Sequence, residues 1–271
     1  MLHDLLTRLD EASFLGFRLW DFSFRSLRRQ YALTFLRRIV LRHPLRTCEG
    51  VLRLRNFQRQ HENLRHVTFL FEGAEEDFLL SLREAKTRLL VAVGFCQKPL
   101  APVCPAQRPN HDCVYLDSVD LSTEGQVVHA ACQRCDVRML GTLALRAGAC
   151  MHVMTSALDI ARDVMIPSAD HGRFSKIILC LCPYSVRVID LPLTICGLEG
   201  YLLGYASGNC ANYEQWLRAD RGFKKEMTML DPAVHSRVVS LLERLVEARA
   251  SEGQHYVRFR RQGNIYEPVL S

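Results

Sequence analysis

The sequence predicts an α/β protein: a mostly parallel sheet flanked by helices, with a helical N-terminal extension. Three observations carry this. Short unbroken apolar runs, such as Leu89-Leu90-Val91-Ala92-Val93 and Ile177-Ile178-Leu179-Cys180-Leu181, have the length and composition of strands covered on both faces. Between them lie longer stretches with apolar residues at helical spacing. Capping and stop residues punctuate the alternation. Strands that alternate with helices form parallel sheets, and such sheets place their sites at the carboxyl ends of the strands.

In chain order, residues 1–72 read as a basic helical segment and residues 73–271 as a cysteine-rich α/β domain. Residues 1–66 hold 13 arginines against six acidic residues, while the rest of the chain is balanced. Residues 24–42 form an amphipathic helix in which Leu27, Tyr31, Phe35, Leu36, Ile39 and Val40 share a face, stopped by His43-Pro44. That face can dock on the protein's own core, which is the commoner arrangement, or lie on a membrane surface as a peripheral contact. A basic segment also suits an acidic partner protein, with nucleic acid a weaker fit. Residues 53–66 are polar and helical. Gly73-Ala74-Glu75-Glu76-Asp77 opens a helix running to about residue 87, its acids facing the positive helix N-terminus.

The domain proper begins with a strand at 89–93, followed by a long Pro-rich loop. A helix spans 136–148. A second strand at 151–154 leads to Ser156-x-x-Asp159, a helix-capping pair, and a helix from 157 that ends before Pro167. The third strand is 177–181 and a fourth covers 200–205. Tyr213, Trp216 and Asp220 lie at helical spacing. Asp231-Pro232 caps a long helix with Val234, Val238, Leu241, Leu242, Leu245 and Val246 on its inner face. The tail holds two strands around Gln262-Gly263-Asn264.

No run of about 18 uncharged apolar residues occurs, which excludes an obvious membrane-spanning helix. Charges at Asp4, Arg8, Asp10 and Glu11 interrupt the place where a secretory signal would need an apolar core, so the expected compartment is the cytoplasm. In that reducing setting the eleven cysteines point to metal ligation or thiol chemistry rather than to disulfides. Cys96 lies just past the first strand, Cys182 ends the third, and Cys210 follows the fourth. Cys132-x-x-Cys135 precedes a helix, where the helix N-terminus favours thiolate. Cys104 and Cys113 lie in the Pro-rich loop. Cys96, Cys104, Cys132 and Cys135 are the expected metal ligands. Cys182 and Cys210 form a second cofactor site or a thiol pair. Cys48, Cys150 and Cys196 read as core or incidental. Thiolate-only sites favour iron–sulfur clusters, 4Fe–4S among them, or zinc.

His111 and His129 flank the cysteine loops and are candidate ligands or proton carriers, whereas His152 reads as a satisfied core residue. Asp117 and Asp120 lack the further oxygens a hard cation needs. No Walker A, dinucleotide-binding or G-x-S-x-G motif is present.

The run from Leu89 through Cys96-Gln97-Lys98-Pro99, then Cys104-Pro105-Ala106, then Cys132-x-x-Cys135 leading into a helix ending at Gly148, resembles the cysteine-rich domain of unknown function 116 of archaea and bacteria. Cys182 and Gly208-Asn209-Cys210 are similar to that family's downstream cysteines. The likeness covers roughly residues 88–215 and implies a cysteine-ligated cluster domain with no established reaction. The functional expectation is therefore a redox-active iron–sulfur protein in electron transfer, sulfur handling or cofactor assembly, with a partner protein of that kind. Two alternatives stand beside it. One is a zinc-stabilised binding module that uses the basic N-terminus. The other is a dithiol enzyme using Cys132 and Cys135. No substrate, and no reaction that would make the protein an enzyme, follows from the residues.

Overall fold

The computed structural model describes residues 30–60, 64, 66–84, 88–121 and 127–269. An α/β architecture is observed. Eight strands, β1 (Val67–Leu70), β2 (Leu89–Gly94), β3 (Cys150–Met154), β4 (Lys176–Leu181), β5 (Glu199–Ser207), β6 (Met229–Leu230), β7 (Arg258–Gln262) and β8 (Ile265–Val269), form one sheet in the order β1-β5-β4-β2-β3-β8-β7. The short β6 pairs with β5 off this path. The four central strands β5, β4, β2 and β3 are parallel. Antiparallel strands flank them: β1 beside β5, and the β8–β7 hairpin beside β3.

The parallel core is the driest part of the molecule. Every residue of β2 is buried, and Leu90, Val91, Val93, Ile177, Ile178, Leu179 and Cys180 are inaccessible or nearly so. Helices cover both faces. Helix α1 (Gln30–Phe35) continues through a π-type turn, Leu36–Val40, and is followed by α2 (Pro44–Gln60), α3 (Glu75–Ser81), α4 (Val114–Ser118) and α5 (Asp136–Arg146). After β3 come α6 (Ala157–Ile160), a second π-type turn Ala161–Met165, and α7 (Ile166–His171). The remaining helices are α8 (Pro183–Ile195), α9 (Tyr213–Asp220) and α10 (Pro232–Ser251). Helices α5 and α10 pack together, with α5 against β2 and β3, while α8 packs against β5 and α2. Right-handed crossovers require this, because β2 leads to β3 on one side and β4 leads to β5 on the other.

Several expectations change. Pro44 does not merely end a helix; as first residue it starts α2, where a missing N–H costs nothing. Residues 44–70, read as belonging to the basic segment, contribute a helix and an edge strand to the same sheet. Pro167 does not stop the helix that begins at Ala157. The π-type turn just before it carries the chain into α7, with Pro167 in the first turn. Helix α8 was not anticipated, since Pro183 and Pro192 disguise it. Within α1 and its π-type turn, Tyr31, Phe35 and Ile39 are buried while Arg37 and Arg38 face outward, so this apolar face lies in the core. Residues 24–29, including Leu27, lie outside the described residues. Among the described residues, no helix is long and apolar enough to cross a membrane.

Candidate metal centre

The connections leaving β2 and β4 run in opposite directions, so the boundary between these neighbouring strands is the switch point where α/β sheets open a crevice. Cysteines line that crevice. Cys96 lies in the single turn Phe95–Gln97 after β2, Cys182 directly follows β4 and starts α8, and Cys210 lies past the end of β5. All three are buried. The Cys210 N–H donates to Cys182 Sγ at 3.3 Å, and Thr228 Oγ1 donates to Cys96 Sγ at 3.1 Å. Lys224 Nζ lies 3.4 Å from Cys210 Sγ. Arg108 ties the cover down, donating to the carbonyls of Cys96, Lys224 and Glu226 at 2.7–2.8 Å.

Two glycines make room. Gly208 has φ +59, and a Cβ there would sit 2.0 Å from the Met227 carbonyl oxygen. A Cβ on Gly94 would crowd Cys96 Sγ at 2.9 Å and the Tyr205 hydroxyl at 3.0 Å. Beside the thiols lies a cavity of about 90 Å³ whose lining includes Ser156, Ser185, Trp216 and Asp220.

Within this trio, the hydrogen bond between the two thiols holds Cys210 below, and Cys182 above, the ordinary cysteine range. Lys224 adds to the effect on Cys210. Of the two, Cys210 is thus the one whose surroundings favour the charged form.

A second group lies at the neighbouring loops. Cys104 sits in the Pro-rich loop, Cys113 starts α4, Cys132 ends the turn Ala130–Cys132, and Cys135 starts α5. All four are buried, and Cys132 and Cys135 each lie within electrostatic reach of the other three. Burial pushes the Cys113 thiol up to about 12, against the opposing pull of the Leu116 and Tyr115 N–H groups. Burial also raises Cys132 and Cys135, and the Arg138 and Val137 N–H groups counter it at Cys135.

Under this group lies Lys98, only 1% exposed, its ammonium held by the backbone oxygens of Gln107 (3.1 Å) and Asn110 (2.9 Å) and by the Asn110 side chain. Burial lowers its pKa, and Cys104, Cys113, Asp112 and Cys135 oppose that. A buried cation held by neutral oxygens is costly unless anions face it. Four thiolates bound to a metal centre would provide them.

The structure places the expected ligands in two neighbourhoods: Cys104, Cys132 and Cys135 lie within electrostatic reach of one another, with Cys113 beside Cys132 and Cys135, while Cys96 stands with Cys182 and Cys210. Strand geometry explains the change: Cys96 turns immediately at the end of β2, and the chain needs the loop through Pro102 to reach the second group. Among the described residues, no three cysteine sulfurs lie within 4.8 Å of one another. None of the eleven cysteines is in a disulfide, and Cys48, Cys150 and Cys196 stand apart from both groups.

His129 accepts from the Ala131 N–H at 3.2 Å and caps the turn carrying Cys132. Ser156 and Asp159 form the expected capping box. His152 departs from expectation: it is fully buried, and neither ring nitrogen has a hydrogen-bond partner. Lys98, Arg108, Lys224 and Thr228 were not anticipated, because their roles depend on contacts across the fold. For Cys113 a local cue existed, a cysteine immediately ahead of a helix, the same placement that marked Cys135.

No protein-family model, curated protein or solved structure matches the chain.

Proposed function

We propose that the protein is an iron–sulfur protein acting in electron transfer, sulfur handling or cofactor assembly. In this reading Cys104, Cys113, Cys132 and Cys135 hold the cluster, and Cys96, Cys182 and Cys210 form a reactive thiol site at the adjacent crevice. The observation that carries the proposal is the buried Lys98 ammonium beside the thiols of Cys104, Cys113 and Cys135. Metal binding converts those thiols to thiolates and supplies the negative charge that Lys98 lacks. Zinc bonded to sulfur at about 2.3 Å requires its sulfurs about 3.8 Å apart, and among the described residues no three cysteine sulfurs lie within 4.8 Å of one another.

The Cys182–Cys210 contact favours a second reading, a dithiol redox pair at the crevice in place of the Cys132–Cys135 pair expected from local spacing.

Anaerobic purification, an optical spectrum and analysis for iron, acid-labile sulfide and zinc test the proposal. The expected result is a brown protein with iron and sulfide in equal amounts. Zinc alone, or no metal even after reconstitution with iron and sulfide, would refute it.

A further inference from the structure

On the side of the Cys104–Cys113 loop facing β3, three more side chains converge. His111 comes from the loop, His152 from β3, and Asp159 from α6. One nitrogen or oxygen from each lies within 4.8 Å of those from the other two. The imidazole rings stack at 5.5 Å between centroids, 27° from parallel.

The hydrogen bonds leave lone pairs unfilled. His111 Nδ1 lies 2.7 Å from the Val153 carbonyl oxygen, so it carries the proton and Nε2 keeps a free lone pair. Nε2 faces Thr155 Oγ1 at 3.4 Å, but the proton of that hydroxyl goes to Asp159 Oδ2 at 2.8 Å. Asp159 Oδ2 also accepts from the N–H groups of Thr155 and Ser156, whereas Oδ1 is buried with no partner. His152 is wholly buried with neither nitrogen bonded, and its Nε2 lies 3.5 Å from Asp163 Oδ2. His111 Nδ1 also lies 3.6 Å from Asp159 Oδ2, so each histidine turns one nitrogen toward an oxygen acceptor, and the other receives no donated proton. Metal-binding histidines have this arrangement, in which an outer oxygen orients the ring.

We infer that His111, His152 and Asp159 bind one divalent transition-metal ion of borderline softness, zinc or ferrous iron, with Asp163 as a positioning residue behind His152. Two imidazoles and a carboxylate are the donor set for such ions. The negative charges of Asp159 and Asp163 offset the ion's charge. The bound ion fastens the loop carrying Cys104 and Cys113 to β3 and α6. This site uses no thiol and stands independently of the cluster proposal.

The test is cobalt(II) titration of the full chain after its thiols have been blocked by alkylation under anaerobic conditions. The expected result is one cobalt per chain with weak visible bands and no sulfur-to-cobalt charge-transfer band. His111→Asn and Asp159→Asn, each with a circular dichroism spectrum like the parent, should weaken binding by more than about tenfold, while His129→Asn leaves it unchanged. A parent protein that binds no cobalt once its thiols are blocked, while its circular dichroism spectrum matches that of the untreated chain, overturns the inference without any variant. Cobalt binding that survives both substitutions overturns it too. Neither result depends on whether the protein holds iron and sulfide.

Discussion

The two cysteine groups sit at the same end of the sheet but are built from different material. Cys96, Cys182 and Cys210 hang from the ends of three neighbouring parallel strands, so the sheet sets their positions. Cys104, Cys113, Cys132 and Cys135 hang from loops and helix starts, held by Lys98 below and by Tyr266, whose hydroxyl accepts from the Cys113 N–H at 3.1 Å. Their electrostatics also differ. The strand-end contacts hold Cys210 below the ordinary cysteine range, whereas burial pushes Cys113, Cys132 and Cys135 upward. The first is set by the ends of the sheet strands, with contacts that favour the charged form at Cys210; the second is set by loops and helix starts, where burial disfavours it.

The sharpest way to break this comparison is to change one cysteine from each group. Cys113→Ser should abolish iron and sulfide incorporation at the loop pocket, and Cys96→Ser should leave that incorporation near the parental level. Metal analysis after anaerobic reconstitution reads the difference directly; equal losses would mean that the cysteines do not divide as described.

Lys98→Met comes next. Without the ammonium, the Gln107 and Asn110 oxygens lose their shared donor. Urea denaturation should show a loss of about 1–3 kcal/mol, and a cluster would be held less firmly. An unchanged midpoint would mean that Lys98 does not fasten the loop.

The smallest effect concerns pH. Alkylation by iodoacetamide requires thiolate, so its rate rises as pH passes through the thiol's pKa. Cys210 is held low, so in the metal-free protein its modification should be half-maximal below the ordinary cysteine range and should precede that of Cys113. Mass spectrometry of peptides labelled across a pH series distinguishes the two. If Cys113 reacted first, the assignment of Cys210 as the lowered thiol would fall.

Much of the fold was readable in the sequence because its strands are short, unbroken apolar runs with no competing interpretation. Leu89 to Val93 and Ile177 to Leu181 lie in strands, and Asp231-Pro232 starts a long helix. What was hidden was hidden for physical reasons. Helix α8 carries Pro192 in its interior, and β1, with only four residues at a sheet edge, follows a polar helix without a clear turn. In the site, the meeting of Cys96, Cys182 and Cys210 follows from parallel strand ends and was anticipated in outline. The partition of Cys96 from Cys104 was not, since the seven residues between them can fold toward either group. Supporting contacts such as Lys224 on Cys210 and Thr228 on Cys96 join parts of the chain that nothing in the local sequence connects.

The hydroxyl of Tyr266 steadies the start of α4 while lying 153 residues further along the chain than Cys113. A ribosome makes the protein from the N-terminus, so all four loop cysteines emerge well before the β8 strand that braces them. During synthesis the loop pocket stays unfinished, and the strand-end trio can assemble earlier, once β5 has joined β4. Completion of the loop pocket is in this way a late event in the life of the chain, deferred until the hairpin has closed over the edge of β3.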